Sequence, residues 1–386
     1  MSPYHSRFSL CLGWAAIAIT AVASSANCLA DDESFLNRFD TVNLVASTVP
    51  ANGDVNPYGI AVVRHSVGRL KRGHVLISNF NASSNLQGTG TTIVQISPDG
   101  TASPFAQIEP NALTGQCPGG VGLTTALSVL RRGWVIVGSL PSANGTSANA
   151  GAGCLIVLNS LGEVVETFQG GGIKGPWDMT ARDEGRRAWL FVTNVLNGDV
   201  TTGSPHVVNR GTVLRIALEV PEQGEGKPER ESTVVIGSGF AETADPAALV
   251  IGPTGVGLAR DGTLYVADSL NNRIAAIPRA LTRESTAFTG RDVSSGGAIS
   301  DPLGLAIAPN GNIITVNGGD GNLVETTPKG VQIAAKTVES ATGAGSLFGI
   351  AIVPDGRGVY FVDDGDNTLK VFRKKRAAMP PDDEDD

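Results

Sequence analysis

The sequence predicts an all-β fold: a six-bladed β-propeller with four-stranded antiparallel blades, its ring closed by an N-terminal strand. Three observations carry that prediction. Charged residues make up only 17% of the 386 residues while glycine numbers 49, a balance that favours many tight turns over long surface helices. One strand–turn–strand pattern recurs six times. A spare strand-like segment precedes the first copy, and the last copy is one strand short.

The first thirty residues are set apart. His5 and Arg7 give a weakly basic start, and "LCLGWAAIAITAVA", Leu10 to Ala23, is uncharged. That run has the length of a signal-peptide apolar region and is too short to span a bilayer. Cys28 and Ala30 place small residues around a cleavage after Ala30. The competing reading, a lipid on Cys28, is disfavoured by Asn27 before it. The expected organisation is a signal peptide at 1–30, a propeller at 31–376 and an acidic, disordered tail at 377–386. No later segment is long and apolar enough to cross a membrane. An exported monomer, periplasmic or secreted, is therefore expected.

The repeating unit is clearest in "GPTGVGLARDGTLYVADSLNNRIAAI", Gly252 to Ile277. An apolar strand follows a Pro/Gly start, an Asp-Gly turn leads to a second strand, and a polar loop leads to a third. "DPLGLAIAPNGNIITVN" from Asp301 and "SLFGIAIVPDGRGVYFVDD" from Ser346 repeat it. "NPYGIAVV" from Asn56, "GGVGLTTALSVLRRGWVIVGSL" from Gly119 and "KGPWDMTARDEGRRAWLFVTNV" from Lys174 are looser copies. The equivalent positions Gly59, Gly122, Asp178, Gly255, Gly304 and Gly349 lie 63, 56, 77, 49 and 45 residues apart, near a blade repeat with early insertions. First strands converge on the central channel, where a missing Cβ lets backbones approach. The last unit has three clear strands. "FDTVNLVAST", Phe39 to Thr48, alternates apolar and polar residues and supplies the fourth, which removes an open edge.

The units at Gly252, Asp301 and Ser346 resemble NHL repeats. The resemblance implies a six-bladed propeller and no single activity, because such propellers include binding scaffolds, lactonases, lyases and amidating enzymes.

A site is expected on one face of the disk. The second strands end in Asn79, Ser139, Asn194, Asp268, Asn317 and Asp363, a ring of short polar groups. Tyr58, Trp177 and Phe348, at the starts of first strands, give it an aromatic collar suited to a small-ligand pocket. The ring residues could equally cap strands and hold turns. The loops after the second strands are long in the first three units ("NASSNLQGTGT", "PSANGTSANAGAG", "LNGDVTTGSPHVVNRG"), and all fall on this face. Cys117 and Cys154 remain after signal removal. Export predicts one disulfide between them, tying down the second loop, with two buried thiols as the alternative.

The resemblance extends distantly to gluconolactonases, which hold a divalent cation with a Glu, two Asn and an Asp at the channel mouth. Asn79, Asn194 and Asp268 match in type and place, and Asp363 could supply a further ligand. Oxygen donors of this kind suit calcium. The family's glutamate is missing: "KGPWD" puts Lys174 in its place. His65, His74 and His206 are too scattered for the zinc of the amidating branch. His206 beside Ser204 is a candidate acid–base group on the looped face. The formal charge of −8 argues against nucleic acid. The reading is a module that binds a polar small molecule or a protein through its looped face. Its alternative is a metal-dependent lactonase or esterase using the ring.

Overall fold

The computed structural model describes residues 33–198, 206–246, 248–340 and 345–375. The expected signal segment, the acidic tail and Ser204 lie outside them. Ser34 onward forms one unit of six antiparallel sheets. Blade 1 is β2 (Val55–Val62), β3 (Val75–Asn81), β4 (Thr92–Ile96) and β5 (Ala102–Gln107). Blade 2 is β6 (Leu123–Val129), β7 (Val135–Ser139), β8 (Cys154–Leu158) and β9 (Val164–Phe168). Blade 3 has β10 (Gly175–Asp183), β11 (Arg187–Val195), β12 (Val208–Glu219), β13 (Glu229–Asp245) and a fifth strand, β14 (Leu249–Ile251). Blade 4 is β15 (Pro253–Leu258), β16 (Leu264–Asp268), β17 (Arg273–Ile277) and β18 (Arg291–Ser295). Blade 5 is β19 (Pro302–Ile307), β20 (Ile313–Asn317), β21 (Asn322–Thr326) and β22 (Gln332–Thr337). Blade 6 is β23 (Leu347–Ile352), β24 (Gly358–Asp363), β25 (Thr368–Arg373) and, from the other end of the chain, β1 (Thr41–Ser47).

The closure is as expected. β1 runs antiparallel to β25, with Thr41 opposite Arg373 and Ser47 opposite Thr368. The segment before β1 is fastened as well. Glu325 on β21 is buried and accepts hydrogen bonds from Ser34 Oγ (2.7 Å), the amides of Phe35 (2.9 Å) and Leu36 (2.8 Å), and the side chains of Asn310 (3.0 Å) and Asn312 (2.7 Å). Phe35, Leu36 and Phe39 then pack with Phe361 and Phe372 between blades 5 and 6.

The channel explains the glycines. A Cβ at Gly304 would collide with the carbonyl oxygen of Phe348, and one at Gly349 with that of Tyr58, each on the next blade. The second unit corrects the expected alignment. Leu123 pairs with Ser139 as Pro302 pairs with Asn317, so Thr125, not Gly122, holds the place of Gly304. β6 carries an extra residue at its bulge, which displaces the pattern. Gly122 is needed elsewhere: a Cβ there would strike the carbonyl of Gly88 in the first long loop.

The fifth strand of blade 3 was not expected. β13 runs on past its pairing with β12 and turns back through β14, with Thr243 opposite Ile251. This hairpin brings Ala248, Leu249, Val250 and Ile251 against the channel mouth.

Candidate functional site

All six predicted ring residues sit at or near the ends of second strands, and all are buried. Each turns toward its own blade or the adjoining connection. Asn194 Oδ1 accepts the amides of Lys174 (2.8 Å) and Gly175 (3.1 Å), while its Nδ2 reaches Gly172 O and the side chains of Asn197 and Thr212. Ser139 Oγ bridges Gly120 O and the amide of Gly122. Asp268 accepts from Asn271 and from Arg273 Nε at 2.7 Å. Asp363 accepts from the Gly365 amide and from Lys370 Nζ at 2.6 Å. Asn79 donates to Thr48 O, and Asn317 to Ala298 O and Asp320. The amide oxygens of Asn79 and Asn317 have no partner among the described residues.

This arrangement does not fit the cation implied by the gluconolactonase resemblance. The oxygens of Asp268, Asp363 and Asn194 already accept donors, two of them from cationic side chains. Of the four expected ligands only Asn79 keeps a free oxygen. Among the described residues no group of three or more His, Cys, Asp or Glu side chains could hold a metal ion.

The aromatic collar is brought together, but it fills the mouth instead of framing it. Tyr58 stacks on Phe348 (centroids 3.8 Å apart) and on Phe80 (4.5 Å), with Trp177 6.4 Å from Tyr58. Trp177 Nε1 donates to Val250 O at 3.1 Å, which pins the β13–β14 hairpin over the plug. The first two long loops pack beside it. Ser142 donates its amide to Gly88 O, and Ser147 Oγ donates to Leu249 O. The Cys117–Cys154 disulfide anchors the second loop, as predicted. His206 is exposed, its carbonyl accepting from Thr243 Oγ1. His65 and His74 lie at the opposite face, on the connection between β2 and β3.

A polar cleft of about 310 Å³ lies beside the plug, where the first long loop meets the short loop of blade 6. Asn56, Ser83, Asn85, Gln87, Asp364 and Asn367 line it. Asn56 Oδ1 and Gln87 Oε1 have no partner among the described residues. Asn56, Asn85 and Asn367 all hold left-handed backbone (φ 63°, 56° and 57°), which asparagine tolerates better than most side chains. Burial, with the charge of Asp363, pushes the Asp364 carboxyl up to about 7. Asp301 nearby is pushed up to about 6 by burial and by Asp245. The cleft therefore gathers amide oxygens around a carboxyl that titrates near neutrality. Beyond the asparagines of the long loop, nothing in the residue pattern pointed to this cleft.

The channel itself opens on the opposite face. It is a funnel of about 370 Å³ lined by the later halves of the first strands. Asp178 lies at its floor and accepts the amides of Met179 (2.7 Å) and, across to blade 4, Val256 (3.0 Å).

No family model matches the chain, and no curated protein matches it. Solved structures do. A protein assigned as a gluconolactonase is 16% identical, covering 88% of this chain and 94% of its own, with a TM-score of 0.53. Regucalcin from Agrobacterium tumefaciens, described as a calcium-binding protein, is 11% identical over 87% of this chain and 97% of its own, with a TM-score of 0.51. Virginiamycin B lyase from Staphylococcus aureus is 14% identical over 87% and 99%, also at 0.51. At these identities the likeness establishes the six-bladed fold.

Proposed function

We propose that this chain is an exported propeller that binds a small, hydroxyl-rich or cationic molecule on its looped face, in the cleft between blades 1 and 6. The observation that carries this reading is the convergence of amide and carboxylate oxygens on the cleft, two of them buried without partners. A buried acceptor left unpaired costs about 1–3 kcal/mol, which a ligand hydroxyl or ammonium would offset. Small-ligand sites take this form, a concave pocket with a few convergent polar groups. The disulfide suits an oxidising compartment, and the uncharged run Leu10–Ala23 suits an export signal.

The likeness to a gluconolactonase supports a second reading, hydrolysis of small lactones or esters at the same place. The engaged ring disfavours the metal-dependent form, so the chemistry would rest on Asp364. A carboxyl that titrates near neutrality in a ligand cleft is suited to general-base work. Titration calorimetry with polyols, sugars and organic amines, repeated on Asp364→Asn, tests the first reading. Loss of binding with an unchanged melting temperature supports it, and binding indifferent to the change refutes it. A lactone and ester panel tests the second. Activity that rises through about pH 7 and vanishes in Asp364→Asn supports hydrolysis, and a flat profile sinks it.

A further inference from the structure

The opposite-face funnel has the parts of a second binding site, independent of the looped face. The six first strands are the inner edges of their sheets and do not pair with one another. An edge strand leaves the N–H and C=O of every second residue without a ladder partner. Side chains stand across the sheet, so Val62, Leu258 and Ile307 pack into the seams between blades while the strand edges face the opening. The surface of the funnel is accordingly mostly polar, although most of its residues are aliphatic. Backbone donors and acceptors follow one another down its walls, joined by Ser128 and Thr180.

The floor adds two polar side chains. Four of the six first strands place glycine at the tightest point of the channel, whereas blades 2 and 3 place Thr125 and Asp178 there. Thr125 is 3% exposed, and its Oγ1 has no partner among the described residues. Asp178 is 9% exposed, and each carboxylate oxygen accepts one backbone amide, leaving lone pairs for a further donor. Below them the aromatic plug closes the channel, Thr125 touching both spaces. Charge is balanced between floor and mouth. Arg64 lines both the funnel and an adjoining cleft that holds Arg131, Arg182, Asp183 and Glu184. With Asp178 these are three cationic and three acidic side chains, so neither sign of ion is favoured. Among the described residues no aromatic ring lines the funnel.

We propose that the funnel binds a compact neutral polyol of hexose size, one hydroxyl held between Thr125 and Asp178 and the others along the strand edges. A hydroxyl both donates and accepts, so it can accept from Thr125 and donate to the Asp178 carboxylate. The same property suits walls that offer amide N–H and C=O groups together, which an ammonium or a carboxylate could use only by half. Without a ring to stack on, recognition runs through hydroxyls around the whole molecule, as a cyclitol presents them. The volume of about 370 Å³ equals that of about a dozen waters at roughly 30 Å³ each, the size of a six-carbon polyol.

The test is titration calorimetry of the full chain with myo-inositol, cyclohexanol, glucosamine and glucuronate, together with amide NMR shifts that place the site. Both are repeated on Thr125→Val, Thr125→Ser and Asp364→Asn. The expected result is that myo-inositol binds and moves the Met179 and Val256 amides, which face Asp178. Cyclohexanol, with the ring and a single hydroxyl, should not bind, and the charged sugars should bind more weakly. Thr125→Val should weaken myo-inositol about five- to tenfold, the worth of one hydrogen bond, and Thr125→Ser should keep it. Thr125→Val also removes an unpaired buried hydroxyl, so its melting temperature should hold or rise, which separates lost binding from lost fold. Asp364→Asn should leave the Met179 and Val256 shifts in place, so this site and the looped-face cleft fail separately. Shifts confined to Asn56 and Gln87 would assign the polyol to that cleft and overturn the proposal. So would failure of myo-inositol to bind wild-type protein, equal binding of cyclohexanol, tighter binding of either charged sugar, or indifference to Thr125→Val.

Discussion

Replacing Glu325 with glutamine tests the fastening of the chain's start to blade 5. The carboxylate accepts five hydrogen bonds, three on Oε1 and two on Oε2. Burial alone would raise its pKa; the donors Asn312, Leu36, Ser34 and Asn310 outweigh burial and hold the carboxyl below its ordinary value. A glutamine can keep three acceptor bonds on its oxygen. Its NH₂ then faces Ser34, whose hydroxyl can rotate and accept, and the Leu36 amide, which cannot. One buried N–H is orphaned, at about 1–3 kcal/mol, and the surviving bonds lose charge assistance. The total is on the order of 3–5 kcal/mol. For a domain this large the melting midpoint should fall by roughly 4–7 °C. The sign of the pH dependence follows from the lowered pKa. This stabilisation is fully present above the unfolded value near 4.3 and is lost as pH falls through the folded value, so wild type and variant should converge below about pH 4. Differential scanning calorimetry reads the midpoint, and amide hydrogen exchange at Phe35 and Leu36 reads the fastening itself. A midpoint within about 2 °C of wild type at neutral pH, with both amides still protected, would refute the reasoning.

Four other perturbations have stated outcomes. Deleting residues 39–48 should leave β25 with an open edge and cause aggregation or loss of cooperative unfolding, read by light scattering and calorimetry; a monomer with unchanged melting contradicts the closure. Reducing Cys117–Cys154, which encloses a separation of 37 residues, should cost about 3–4 kcal/mol in urea titrations; equal midpoints would show that the bond adds nothing. Asp268→Asn and Asp363→Asn each remove one carboxylate from a largely buried cation, Arg273 keeping Asp292 and Lys370 keeping Glu339 and Asp366, so each should destabilise by about 1–3 kcal/mol, whereas a ring held only for a ligand predicts unchanged melting. Burial raises Asp178, Glu242 and Asp364 to about 7 and, with Asp245, Asp301 to about 6. An acid with a raised folded pKa holds its proton more tightly when folded, so stability should fall as pH rises from about 4 to 8, and a melting temperature higher at pH 8 than at pH 5 would be the contrary result.

The blades were legible because their signals are local: Asp-Gly and Asn-Gly turns between apolar runs fix hairpins without reference to the rest of the chain. Closure was legible by subtraction, one strand missing at the end and one spare at the start. The ring residues were legible in position and type but not in direction. Asn194 and Asp268 read alike whether they face a ligand or their own loop, and only the partners Lys174, Gly175 and Arg273 decide it. The β13–β14 hairpin was missed because "ALVI" carries no repeat signature and covers an aromatic surface assembled from its own blade and from blades 1 and 6, far away in sequence. Glu325 was missed because a glutamate in a third strand reads as an outward-facing residue; its donors stand at residues 34–36, nearly 300 positions away. Asp178 was visible as a departure from the glycine series. What the sequence could not show was that Thr125, displaced by a bulge, shares its level.

The pairing of β1 with β25 also sets an order of events. Roughly 330 residues separate Ser47 from Arg373, and at 5–20 residues per second their synthesis takes on the order of 15–65 s. For that interval the earliest strand has no partner, and the ring stands open whatever the blades between have achieved. Contacts this distant in sequence are also slow to form once they become available, so sealing is the late, rate-setting step. Until then the chain is a row of semi-independent hairpins with an unsatisfied edge at each end, the state most exposed to proteases, to chaperones and to other copies of itself.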